Sequence, residues 1–456
     1  MMTSTRLLSQ QQQQQTTPSS YLYLHQQHAC SNNAAAAAED ADNNNTTLSS
    51  SRHMLLGMIK EHHASFLMEH RDRPNVLIRV LVGLHEFGAK DDQLAQVYSQ
   101  LYPELTPLRR AHVHIDRDNW LEFLGNSGYY GDYLAFFDQQ LDELGMKGLL
   151  EQYFYTSPLQ HSLGSQLQPL VHLAFGIEQN LPHVVTQGLA YTASTYLDAS
   201  ELCELTRQEQ EQRQQQPVTL TTTNDELLFD LVGADQRFGG KIDGRNTFHS
   251  SVKVLLKSKA DLLKTYMAVW QNISSTATTT TATNTTSSIP QHQQALNQLI
   301  AMATRLITYS NHVNQGQIEL DWFLGGGQLL ASALAIQTMI DHCPPTLSVD
   351  SLVNLQFLAT LCTYIVQGRP PRAHYAPYNN NNYTSATAPL PSPPLDWSDC
   401  VAAVVQSADP KAILTMHSLK RAAHSIGNDD HLYLDTANFL VNFVHDGIWV
   451  KGGIGW

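Results

Sequence analysis

At 456 residues, with 27 basic against 41 acidic side chains, the chain carries a formal charge of −14, which is long enough for a sizeable core and of the wrong sign for a nucleic-acid partner. Five cysteines, at positions 30, 203, 343, 362 and 400, form no CxxC pair, so neither a disulfide framework nor a structural zinc site is expected, and a reducing compartment fits. No apolar run of about 18 residues stands out, and the N-terminus lacks the apolar core of a leader, which predicts a cytoplasmic protein with no membrane partner.

Residues 1–50 are Gln, Asn, Ala and Ser tracts with too few apolar side chains to offset the entropy of ordering them, and they read as a disordered tail. From 51 to 456 the pattern is that of one large, all-α, bundle-like domain. The first elements are a helix over HMLLGMIKEHHASFLMEH and, after Pro74, a second over PNVLIRVLVGLHEFGA with Leu77, Val80, Leu81 and Leu84 as its buried stripe. Helices are expected next at IDRDNWLEFLG, YYGDYLAFFDQQLDELG and MKGLLEQYFY. Low-complexity insertions near 207–223, 274–294 and 375–395 separate the later helical runs, among them ELDWFLGGGQLLASALAIQTMI and VDSLVNLQFLATLCTYIVQGRP. No alternating strands are expected.

The stretch from Ser157 to Asp198 is the one the rest is organised around. Its run PLVHLAFGI is apolar on nearly every side, which places it in the middle of a bundle. Pro169 suits a first helical turn, and Asn180 with Pro182 marks a stop and restart. The run carries one imidazole, His172, and burying it unpartnered would cost roughly 1–3 kcal/mol. His172 therefore needs a hydrogen-bond acceptor, a metal or a ligand.

Common signatures of chemistry are missing. There is no GxGxxG opening a helix, hence no Rossmann site for NADPH or flavin. Gly325-Gly326-Gly327 lacks the Lys-Ser/Thr of a phosphate loop, and neither GxSxG nor HExxH occurs. What remains is 21 histidines. Imidazoles from facing helices of a bundle can hold a transition metal, and the candidates are His62, His63, His172, His249 and His312.

The ordered segments NWLEFLG, YLAFFDQQLDELG, QPLVHLAFGIE with GLAYTASTYLD, LDWFL, YIVQGRP and IWVKGGIGW together resemble the questin oxidase-like family, from about His53 to Trp456. That resemblance implies an all-helical fold and oxygen-dependent, NADPH-supported oxidation of anthraquinone-type polyketides, including Baeyer–Villiger-type insertion and ring cleavage. It also implies a non-haem iron held by histidines and a modified lysine, with no flavin. Against the family pattern HPLIHLGYGLE this chain keeps the second His as His172 and the acid as Glu178, but has Gln168 in place of the first. The histidine-rich run ahead of LLALYALGA becomes RDRPNVLIRVLVGLHEFGA, with His62 and His63 upstream. Gly326 falls near a further expected His, and no lysine lies between Lys264 and Lys411.

The expectation is an oxidoreductase, a flavin-independent oxygenase acting on a small polycyclic aromatic molecule. His172 and Glu178 are its expected catalytic pair, and His172, His63 and His62 its candidate iron ligands, with NADPH as reductant. The alternative is a silent member of the family that binds an aromatic ligand or partner without redox chemistry.

Overall fold

A computed structural model describes residues 40–70, 73–109, 112–204, 223–239, 247–280, 290–314, 317–373, 394–426 and 430–450. Residues 1–39, the bulk of the tracts near 207–223 and 375–395, the middle of the Thr/Ser tract and the closing 451–456 lie outside the described residues. Internal contacts divide the chain into two units, Met1–Leu56 and Gly57–Trp456. Of the first unit the described part is the opening of helix α1 (Asp40–Ser65), so helix begins inside the segment expected as tail.

After α1 a small hairpin intervenes, β1 (Glu69–His70) with β2 (Arg73–Pro74) in register Glu69↔Pro74. Then follow α2 (Leu77–Glu86), α3 (Asp91–Leu101), α4 (Tyr130–Leu150), α5 (Gln168–Glu178) and α6 (Pro182–Ser194). The second half holds α7 (Phe248–Ser258), α8 (Ala260–Thr280), α9 (Gln291–Tyr309), α10 (Gln328–Asp341), α11 (Asp350–Val366), α12 (Trp397–Ser407), α13 (Pro410–Ile426) and α14 (Asp430–Asp446). The all-α expectation holds.

Local departures from the expected elements have identifiable causes. At IDRDNWLEFLG only a single 3₁₀ turn forms, Trp120–Phe123. Upstream of it Asp116 accepts hydrogen bonds from the backbone N–H groups of Asp118 and Asn119, a local arrangement that competes with helix. Helix α4 breaks at Gly145 (φ 66°) as expected, yet continues to Leu150. Helix α8 runs to Thr280, into the Thr/Ser tract, because extending an existing helix needs no new nucleus. Short strands were not expected, but β3 (Asn311–Asn314) pairs antiparallel with β4 (Gln317–Asp321), which pairs parallel with β5 (Ile448–Val450). The stretch from Trp322 to Asp341 is, contrary to expectation, apolar and long enough to cross a membrane by length and composition. Its 18-residue window is 83% buried inside the protein, as a core helix would be.

Helix α5 is buried from Gln168 to Ile177, as its apolar run requires. Burial of Leu170, Leu173, Phe175 and Ile177 stabilises it by roughly 1.5–3 kcal/mol per side chain. Its nearest neighbours are α6 and α10. The α5–α6 contact is backbone-close: a Cβ on Gly188 would lie 2.6 Å from the Cα of Leu173, and one on Gly176 2.8 Å from the backbone N of Val185. Small residues at these two positions let the helices meet.

Candidate active site

The entry to α5 is strained. Ser165, Gln166 and Leu167 have φ of 47°, 53° and 60°, a left-handed conformation that costs L residues roughly 1–2 kcal/mol each. Such strain persists only where the surroundings dictate it. Here Gln166 is buried, and its Nε2 donates to the Phe323 carbonyl and to Thr363 Oγ1, both at 3.0 Å. The strained loop forms one wall of a half-enclosed cavity of about 180 Å³, whose other walls include Glu69, Phe248, His249, Cys362 and Thr363. A space of that size takes one aromatic ring, since a cavity of about 150 Å³ accommodates benzene. Phe248 lines it, with its ring held by stacking on Phe323 at 4.1 Å and 6°.

The polar side of the cavity is the Glu69 carboxylate, met by Tyr191, His249 and Ser165. Tyr191 donates its hydroxyl proton to Oε2 of Glu69, and Nε2 of His249 lies 3.4 Å from Oε1. Burial by itself would raise the Glu69 carboxyl. Hydrogen bonding and charge from His249, with hydrogen bonds from Ser165 and Tyr191, outweigh burial and hold it below the usual carboxylate range. Glu69 is therefore an ionised, largely buried base. Tyr191 is held protonated, first by burial and then by the charge of Glu69. His249 was among the candidates read from the sequence. Glu69 and Tyr191 were not, because a two-residue strand and a helical Tyr carry no periodic or motif signal.

Outside the lining of this cavity, His172 of α5 belongs to a second, fully buried polar chain. His172 Nε2 lies 3.2 Å from Oε1 of Gln187, and the Gln187 amide nitrogen lies 3.2 Å from Nδ1 of His62. An amide oxygen only accepts and an amide nitrogen only donates, so His172 carries its proton on Nε2 and His62 accepts at Nδ1. Both rings are held neutral. Burial pushes His62 down to about 4, against a smaller upward pull from the Asn75 side chain. Burial, followed by the positive charge of Arg79, pushes His172 well below its ordinary value.

The iron centre implied by the resemblance does not fit these residues. Where its first histidine should stand, Gln168 accepts from Nη2 of Arg79 at 2.8 Å. Arg79 is buried on α2, within the segment where the family is histidine-rich, and although burial lowers its pKa to about 10 it remains a cation at neutral pH. A fixed positive charge beside His172 opposes a metal cation there. At Gly326 there is no side-chain donor, and a Cβ would lie 2.1 Å from the Trp322 ring. The structure brings His172 and His62 together through Gln187. His63 instead hydrogen-bonds Asp138 through Nε2 at 2.9 Å. Glu178, at the far end of α5, accepts from Thr338 and Arg421 and so ties α5 to α10 and α13. His312 is exposed on β3.

A family model described as questin oxidase-like matches residues 74–419. Among curated proteins, the chain is 38% identical over 145 residues to the Baeyer-Villiger oxidase notM of an Aspergillus species, covering 30% of this chain and 31% of that one. It is 23% identical over 193 residues to the Baeyer-Villiger oxidase AgnL3 of Paecilomyces divaricatus, covering 39% and 42%. It is also 32% identical over 85 residues to the questin oxidase of Aspergillus terreus, covering 17% and 19%. Each of these alignments spans less than half of the relative's length. The family match extends over more than half of the 456 residues, and the chain therefore belongs to the questin oxidase-like family.

Proposed function

We propose that the protein is an oxygen-dependent oxidoreductase acting on a small polycyclic aromatic ketone or quinol of the anthraquinone type, with one ring seated between Phe248 and the Glu69–His249 pair. The observation that carries this reading is the ionised, largely buried Glu69 on the wall of a ring-sized cavity. A carboxylate so placed accepts a hydrogen bond from an aryl hydroxyl and can take its proton. Its contribution is position, since the hydrogen bonds that hold Glu69 low make it a weaker base than a free carboxylate. Tyr191 fixes one carboxylate oxygen, and His249 stands beside the other. A tricyclic ligand is larger than the cavity and would extend through its open side.

In this reading His172 is a positioning residue, neutral and locked to Gln187, and Glu178 holds α5 in place. NADPH serves as the external reductant. No step is assigned to iron, because Arg79 and Gln168 occupy the region where its ligands would converge.

The same Arg79–Gln168 pair favours a second reading, a family member that binds an aromatic ligand without redox chemistry. One assay separates the two. Wild-type protein is supplied with a hydroxyanthraquinone, NADPH and oxygen, with oxygen uptake and product mass followed together. Uptake with oxygen incorporated into the aromatic product supports the oxygenase. Saturable binding without uptake assigns the silent binder.

A further inference from the structure

Away from the cavity, three side chains from three helices converge on one point. His63 of α1 places Nε2 2.9 Å from Oδ2 of Asp138 on α4, and His183 at the start of α6 places Nδ1 3.9 Å from Oδ1 of the same carboxylate. One donor atom from each of the three lies within 4.8 Å of the other two. The two imidazoles sit with centroids 4.9 Å apart and planes tilted at 45°, so they are not stacked on each other. We propose that His63, Asp138 and His183 form a binding site for a divalent transition-metal ion, of the zinc or cobalt kind, distinct from the cavity and from His172.

Two nitrogens and a carboxylate oxygen are the donor set that such ions take, at about 2.0–2.2 Å from each ligand atom. Tetrahedral ligands at that radius stand roughly 3.3 Å from one another; His63 lies 2.9 Å from one carboxylate oxygen and His183 3.9 Å from the other. Closing the set asks movement mainly of His183, whose side chain is 60% exposed. The carboxylate is oriented from behind: the Thr186 hydroxyl, fully buried, lies 2.6 Å from Oδ1 of Asp138, which is how an outer residue steadies a metal ligand. Nδ1 of His63 is buried without an acceptor, which places the site at the weaker end for its donor set. Three protein ligands leave the remaining coordination positions to solvent on the His183 side. The ion would join α1, α4 and α6 one turn from Gln187, the residue that links His62 to His172.

The test uses untagged full-length protein, stripped with chelator and titrated with Co²⁺ alone, then with Zn²⁺ in competition. Stoichiometric Co²⁺ binding with visible d–d absorption, displaced by Zn²⁺, and a Zn²⁺-dependent rise in melting temperature are expected. His183→Ala alters an exposed side chain and should fold as the wild type by circular dichroism. It should weaken metal binding at least about tenfold and abolish the Zn²⁺-dependent thermal shift, with Asp138→Asn behaving alike. Absence of binding, or binding that His183→Ala leaves unchanged, would overturn the proposal.

Discussion

Arg79 and Gln168 face each other inside the core, the guanidinium donating from Nη2 to the amide oxygen across 2.8 Å. This pair places a fixed cation beside His172, where the family resemblance implies converging imidazoles. Removing only one partner leaves the other buried and unsatisfied. Gln168→Ala should cost about 1–3 kcal/mol of unfolding free energy, and Arg79→Ala at least as much. Replacing both with apolar side chains of similar volume, Arg79→Met with Gln168→Leu, should fall within roughly 1 kcal/mol of wild type. Urea unfolding of the three variants checks this, and a double variant as unstable as the sum of the singles would contradict it.

His62 gives a pH dependence of defined sign. It is neutral when folded, with a pKa near 4, whereas the ordinary value of 6.5 applies once the chain unfolds. Between those values the unfolded state binds the additional proton, so stability is complete above about pH 6.5 and falls as the pH drops towards 4. The loss from this residue amounts to roughly 3 kcal/mol at most. His62→Gln keeps an acceptor for Gln187 and removes the titration. Its stability should fall less steeply over that window, and equal slopes in wild type and variant would assign the acid sensitivity elsewhere.

Gly188 is where α6 touches the backbone of α5. A methyl group there would meet Leu173 Cα at 2.6 Å and its N at 2.8 Å, both backbone atoms with no rotamer to adopt. Gly188→Ala should therefore destabilise by about 1–3 kcal/mol through overpacking, although alanine is the better helix former. A melting temperature at or above wild type would contradict the close approach.

Glu178 accepts from Thr338 and Arg421. Both charged side chains are partly exposed, so solvent screens the pair. Glu178→Gln should lower stability by no more than about 1 kcal/mol and leave the affinity for a hydroxyanthraquinone unchanged. A variant that folds normally but loses ligand binding would restore Glu178 to the functional site.

Much of the fold was legible in the sequence because burial writes itself as period. The apolar run around His172 announced a core helix, and Pro169, Asn180 and Pro182 marked its ends. Arg79 was less legible, since it lies off the stripe of Leu77, Val80, Leu81 and Leu84, and only tertiary packing buries α2 on that side as well. The strands at 311–321 gave too short a pattern to outweigh the helical runs on either side. The site itself was legible only in part. His249 stood out as an imidazole, whereas Glu69 and Tyr191 are 122 residues apart and meet only through the hairpin after α1 and the seating of α6. Asp138 similarly reads as one acid on an amphipathic helix until His63 and His183 are brought to it.

The role of the Glu69 cavity is tested by comparing oxygen uptake by wild-type protein and Glu69→Gln, each supplied with the same hydroxyanthraquinone and NADPH after both are shown to be folded and to bind the ligand. NADPH-supported uptake by the wild type and a loss of at least about 100-fold in the variant are expected, the scale on which a positioned general base contributes. Equal uptake by the two proteins would contradict the assignment of the chemistry to the Glu69 cavity.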